Sequence, residues 1–166
     1  VLNIINKRLQ GVFVKYPEYL SSAKRHNHTC RVLKAKIDSF DIAEHNSEEF
    51  NFLVYNLYYL SGYVIECSMK FKIFELEQYS SNAEVDEVEC KKAGIDYKKR
   101  IKTHNFQRLQ NYLDSLISGL SHSSGKTEIN KLLNDWKPEL RYSHFELNFS
   151  HIEEFHNHVS KYLQRM

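Results

Sequence analysis

Turn-forming residues are scarce in this sequence. Its 166 residues include five Gly and two Pro, too few to reverse the chain every 8–12 residues or so, as a sandwich or barrel of short strands requires. Long helices are the alternative. The three cysteines, Cys30, Cys67 and Cys90, are an odd set without C-x-x-C spacing, which argues against a disulfide framework and a zinc ribbon and points to a reducing cytoplasm. No apolar run approaches the ~20 residues needed to span a bilayer, and no basic-then-apolar leader precedes the first helical pattern. An excess of one charge is also missing: 23 basic against 21 acidic residues leave +2, so any nucleic-acid contact must be local rather than driven by a global field. What the chain does have is 42% hydrophobic and 13% aromatic residues, enough to bury the core of one domain.

The apolar residues recur at helical steps of three and four. Leu2, Ile5, Leu9, Val12, Phe13 and Tyr16 mark a first helix, over residues 1–18, that Pro17 interrupts. A second starts at Ser21 or Ser22 and carries Ala23, Cys30, Leu33, Ile37 and Phe40, with a polar gap at His26 and Asn27. Ser47 can cap a third, with Glu48 and Glu49 at the positive end of its dipole. From Phe50 through Val54, Leu57, Val64 and Cys67 to Phe74 this is the longest and most apolar element, and apolar residues on its other faces (Ile65, Met69, Ile73) make it central. Residues 80–102, acidic and then basic, read as a solvated, charged connecting loop with at most one helical turn. Thr103 can cap a fourth helix through Phe106, Leu109, Leu113 and Leu116 to Gly119. A short helix with Ile129, Leu132, Leu133 and Trp136 must stop before Pro138. Ser150 and Glu153 have capping-box spacing for a last helix with Ile152, Phe155, Val159, Tyr162 and Leu163 inward. The sum is a helical bundle.

Three stretches stand out: Tyr59-Leu60-Ser61-Gly62-Tyr63-Val64-Ile65-Glu66-Cys67-Ser68-Met69-Lys70, Thr103-His104-Asn105-Phe106-Gln107-Arg108-Leu109 and Trp136-Lys137-Pro138-Glu139-Leu140-Arg141-Tyr142. Gly62 inside a helix costs about 1 kcal/mol relative to Ala and is tolerated where another group must approach closely. Glu66 stands among apolar neighbours and needs a partner. Lys70, four residues on, is in the favourable orientation, and Arg141 or Tyr63 could add hydrogen bonds. Such a set is either a structural ion pair or the lining of a polar cleft. His104 reads as a first-turn hydrogen-bonding residue or as a catalyst.

In that order the three stretches resemble signatures of the HEPN family (higher eukaryote and prokaryote nucleotide-binding): YLxGYxxExxxK on the central helix, TH-x-L opening the next, and RY before the last. Phe106 stands where an aliphatic residue is usual. The resemblance covers residues 23–166, leaving the first helix as an added element, and implies an all-α, up-and-down bundle of four to six helices. It further implies a homodimer and a nucleotide- or nucleic-acid-binding role for Glu66, Lys70 and Arg141, often beside or fused to a nucleotidyltransferase. The start at Val1 leaves room for such a domain ahead of the chain. Ribonuclease members pair an Arg with a His four to six residues later, so that guanidinium stabilises developing phosphorane charge while imidazole moves the 2′-hydroxyl proton. Here Arg100-x3-His104 and Arg141-x2-His144 are both too short. That departure makes a non-catalytic binding module the first reading; the alternative is a divergent metal-independent ribonuclease of a toxin–antitoxin or phage-defence system, with His104, Arg141 and His144 as its catalytic candidates. A purely structural dimerisation module is the third reading.

Metal, thiol and dinucleotide chemistry find little support. His151, Glu154 and His158 share one helical stripe but lack the further ligands of a zinc site. The cysteines have apolar neighbours and no adjacent base, and neither a Walker loop nor a glycine fingerprint is present. No cofactor is expected. Lys98, Lys99, Arg100 and Lys102 could hold phosphates, although a solvated loop balanced by the preceding acids is the commoner meaning.

Overall fold

The computed structural model describes residues 14–142 and 147–166. The helix expected before Tyr16 therefore lies outside the described residues, except for its last few positions. Those described form helices joined by irregular connections, with no strand beyond a single bridge between Lys15 and Glu84. Six α-helices are present among them: α1 (Pro17–Ile37), α2 (Glu48–Leu76), α3 (Glu87–Lys92), α4 (Phe106–Leu116), α5 (Thr127–Asp135) and α6 (Phe149–Leu163). Among the described residues, no helix is long and apolar enough to cross a membrane.

Pro17 opens α1 instead of ending a helix before it. At the first helical position the missing N–H was never going to be bonded, and the fixed φ suits the turn. Ser47 caps α2 as expected, its hydroxyl accepting from the Phe50 N–H. Two other caps differ from expectation. Asn105, not Thr103, caps α4, and Asn148, not Ser150, caps α6; each Asn side chain accepts from the backbone N–H three residues on. Asn caps as well as Ser or Thr, and starting α6 early puts Phe149 against Phe50, ring centroids 5.6 Å apart.

α2 is the spine. Fifteen of its 29 residues are buried, on every side of the helix, and the ring contacts give the directions of its neighbours. Tyr19 stacks on Phe74 and His26 on Tyr63, and Phe40, just after α1, meets Phe50 edge-on, so α1 runs antiparallel to α2. Phe149 meets Phe50 while Phe155 meets Tyr58, so α6 runs with α2. His104 bonds Glu66 and Tyr112 bonds Glu77, so α4 also runs with it. The described helices thus depart from strict up-and-down alternation, because the connection from Glu77 to Asn105 carries the chain back along the spine.

Most of that connection is exposed, as expected, but it is anchored in the core at four points. Val85, Cys90, Ile95 and Ile101 are buried in it. Asp86 caps α3, and Asp96 caps a π-helical turn at Tyr97–Ile101. The acid-then-base run pairs with itself, Lys98 with Glu87 at 2.8 Å and Lys92 with Glu89 at 2.5 Å. Its charge masked four apolar residues spaced too irregularly to register as a helix.

The polar gap in α1 is filled from α6. Asn27 Oδ1 accepts from the Ser160 hydroxyl at 2.7 Å, His156 Nε2 lies 3.4 Å from the same hydroxyl, and His156 Nδ1 is 3.1 Å from Ser61 Oγ, which contacts Cys30 Sγ at 3.6 Å. Burial, with Arg31 and Lys34 adding to it, lowers the His156 pKa to about 4. Unfolded, the ring titrates near its ordinary value, so between about pH 6.5 and 4 the unfolded chain binds the extra proton and stability falls as pH falls. The full window is worth on the order of 3 kcal/mol. Denaturation in urea should show a lower midpoint at pH 5 than at pH 7, and His156→Gln should flatten that difference. An equal slope in the variant would remove His156 as its source.

Candidate functional site

A carboxylate in the middle of a buried helix has to be surrounded by donors. Glu66 is 4% exposed. Its Oε1 accepts from Lys70 Nζ at 2.8 Å, one turn along α2, and its Oε2 accepts from His104 Nδ1 at 2.8 Å, across the gap to the lead-in of α4. An ionised carboxylate only accepts, which puts the proton of that second bond on Nδ1, and Nε2 has no partner among the described residues. Lys70 is also buried, its ammonium 6.0 Å from the centre of the Tyr19 ring. His104 is different: 55% of its side chain is exposed. The network therefore begins in the core and ends in an oriented imidazole at the surface. Its lead-in is rigid, because Thr103 Oγ1 accepts from the Asn105 N–H and Asn105 caps the helix that follows.

The same stripe of α2 carries Tyr59 and Tyr63, whose hydroxyls are 3.1 Å apart. Tyr63 stacks on His26 of α1, centroids 5.6 Å apart, and meets Trp136 edge-on at 5.0 Å. Burial and the Tyr59 hydroxyl, then Glu66, hold the Tyr63 phenol well above its ordinary pKa, while Arg141 works the other way. Burial, reinforced by Arg25, lowers the His26 pKa against the pull of Glu66, which favours a neutral ring. Gly62 lies under Trp136: a Cβ there would sit 1.9 Å from the indole. The indole N–H donates to the Tyr59 carbonyl at 3.0 Å, and Phe106 stacks on its other side at 5.0 Å. The packing role expected of Gly62 is this close approach.

Glu66, Lys70 and His104 are therefore brought together. No contact joins Arg141 to Glu66, and the Tyr63 hydroxyl lies between their fields. Arg141 is exposed, its guanidinium 4.8 Å from the centre of the Tyr142 ring and close to Tyr59 and Tyr63, all three of which raise its pKa, Tyr142 most. It borders a cleft of about 1060 Å³ shared with Asn51, Tyr55, Asn56, Tyr59 and Phe149. His144 lies outside the described residues. His26, Trp136 and the bond from His104 to Glu66 were not foreseen; the pairing of an isolated carboxylate with a His after a Thr was visible only as two separate motifs.

Other candidates are occupied structurally. His158 Nε2 is 2.7 Å from the His122 carbonyl and Glu154 pairs with Lys126 at 2.8 Å, which separates the helical stripe of His151, Glu154 and His158 into unrelated contacts. Burial raises the thiols, Cys30 to about 11 and Cys67 to about 12, with Cys90 raised as well, so all are protonated at neutral pH. No family model, curated protein or solved structure matches this chain.

Removing the Glu66 carboxylate strands Lys70 in the core. Glu66→Ala is expected to lower stability in chemical denaturation by on the order of 3–5 kcal/mol, the cost of leaving one member of a buried pair unanswered, and Glu66→Ala with Lys70→Met should recover part of it. An unchanged midpoint in the single variant would place Glu66 outside the core.

Proposed function

We propose that the chain is a nucleotide- or nucleic-acid-binding module of the HEPN kind, which holds its ligand at the surface where His104, Tyr63, His26 and Arg141 converge. The observation that carries this is the buried Glu66–Lys70 pair ending in an exposed imidazole. Joining helices by buried charge is costlier than joining them by hydrocarbon, and what it adds here is a fixed donor or acceptor facing outward. Around it are the parts that nucleotides use: flat aromatic faces on Tyr63 and His26, a guanidinium on Arg141, and an adjoining cleft lined by aromatic and amide side chains. In this reading Glu66 and Lys70 position His104, and Arg141 contacts phosphate. A nucleotidyltransferase, on the same polypeptide or a neighbouring one, is the partner proposed, with a second copy of the chain as the oligomeric partner.

A second reading has its own support. A carboxylate bonded to Nδ1 orients the imidazole and stabilises its protonated form, which is how bases in acyl and phosphoryl chemistry are held. His104 would then be the proton-transfer group of a metal-independent ribonuclease, with Arg141 the electrostatic partner. Binding ranks first because the guanidinium makes no contact with the Glu66–His104 pair.

The two readings separate in one experiment. Labelled single-stranded RNA and ATP are titrated with the protein, and RNA integrity is followed over hours. Binding that weakens about tenfold in Arg141→Ala and in His104→Ala, a positioned contact being worth about 1.4 kcal/mol, with the RNA intact, is the expected result. Cleavage that disappears in His104→Ala with the fold preserved would install the ribonuclease reading, and no affinity for RNA or ATP would contradict both.

A further inference from the structure

Positive charge in this chain is concentrated on α1. The helix carries Lys24, Arg25, Arg31, Lys34 and Lys36 against Glu18 alone, more than the +2 of the whole sequence. Lys34 is engaged inside the fold, with Asp38 at 2.6 Å and Glu153 at 2.8 Å, and Lys36 lies 3.9 Å from Glu49. Lys24, Arg25 and Arg31 pair with no carboxylate among the described residues.

With successive residues about 100° apart around a helix, Lys24, His28 and Arg31 share one stripe and Asn27 sits at its inner edge. That stripe walls a groove of about 300 Å³ whose other side is Ser160 and Leu163 of α6 and Gln164 just after it. Asn27 is 7% exposed, yet it lines the groove. Its Oδ1 is taken by the Ser160 hydroxyl, while its amide N–H groups donate to no acceptor among the described residues. That amide nitrogen is not sealed off from solvent, so its N–H groups are available to whatever enters the groove. Ammonium, guanidinium, imidazole and amide together complement an oxyanion, and no carboxylate lines the groove to attract a cation.

We propose that the groove between α1 and α6 is a phosphate-binding subsite for the backbone of a single RNA strand, with Lys24 and Arg31 supplying charge and Asn27 a positioned hydrogen bond. The proposal rests on the nucleic-acid reading above. A strand is favoured over an isolated phosphate by what lies next to the groove. Arg25 is one step round the helix, His26 is the next, and His26 stacks on Tyr63. A chain leaving the groove crosses the width of α1, about 10–12 Å, and meets the aromatic surface beside His104. A membrane is disfavoured because Val32 is the one large exposed hydrophobic residue on this helix, too little for insertion between lipids.

The test is anisotropy of a labelled single-stranded RNA across a range of salt, with Lys24→Glu/Arg31→Glu and, separately, Asn27→Asp, which keeps the acceptor for Ser160. The double reversal is expected to lower affinity at least about tenfold and to reduce the slope of log affinity against log salt by roughly 0.7 for each phosphate that is no longer neutralised. Asn27→Asp should weaken binding at every salt concentration. If the reversal unfolds the chain by circular dichroism, Lys24→Ala/Arg31→Ala gives the same comparison at smaller amplitude. RNA binding that persists unchanged in both variants would overturn the groove and leave the His104 site standing. Weaker binding in the charge variant alone would reduce the groove to unspecific surface charge and overturn it as a built site. Wild-type protein that ignores RNA, or that binds phosphatidylserine vesicles instead, would overturn the proposal, and a lack of affinity for ATP as well would overturn the reading on which it rests.

Discussion

A carboxylate placed at the centre of a buried helix dictates much of what surrounds it. Glu66 is enclosed on α2, where ionised oxygens left without donors would cost several kcal/mol, so both oxygens are answered, one from the same helix and one from the next segment of chain. The first bond holds Lys70 in the core. The second fixes where the chain returns after its excursion through α3, and hence where α4 begins. On the neighbouring face, Gly62 lets Trp136 press onto the helix backbone and bond the Tyr59 carbonyl. Two connections that a hydrophobic bundle would leave free to slide are thereby locked to defined turns of the spine, and the surface between them is where His104, Tyr63 and Arg141 emerge.

The opposite edge of α1 follows a similar logic at lower charge. Asn27, Ser160, His156, Ser61 and Cys30 form a chain of polar contacts through the interface of α1, α2 and α6. Burial keeps the imidazole neutral, so the chain fixes register without burying an ion. Its outer end is the groove beside Lys24 and Arg31. α1 is thus flanked by the stack of His26 on Tyr63 along one edge and a cationic groove along the other, with Arg25 exposed between them.

Periodicity made the helices legible, because apolar steps of three and four over α1, α2, α4 and α6 have no strand alternative. What it missed were residues outside a regular stripe. Val85, Cys90, Ile95 and Ile101 anchor the segment after α2, but irregular spacing and charged neighbours hide these anchors in a stretch whose other residues are mostly exposed. Asn105 and Asn148 were passed over for a Thr and a Ser of equal capping ability nearby, since only tertiary contacts such as Phe149 on Phe50 choose between adjacent caps. In the site, the need of Glu66 for a partner was plain from its neighbours, and Lys70 followed from helical spacing. Its other partner is His104, 38 residues away, and no local rule links them; Arg141 was the nearer guess on charge alone. Asn27 and His26 looked like a flaw in an apolar stripe because the residues that satisfy them come from other helices.

Everything proposed for this surface requires Glu66 to hold His104 through Nδ1. Nitrogen-15 NMR of the histidine rings measures this directly, through the protonation of each ring nitrogen in the native protein and in Glu66→Gln. A proton fixed on His104 Nδ1, protected from exchange and lost or redistributed in Glu66→Gln, is the result predicted. A His104 ring carrying its proton on Nε2, with the same signals in both proteins, would contradict it.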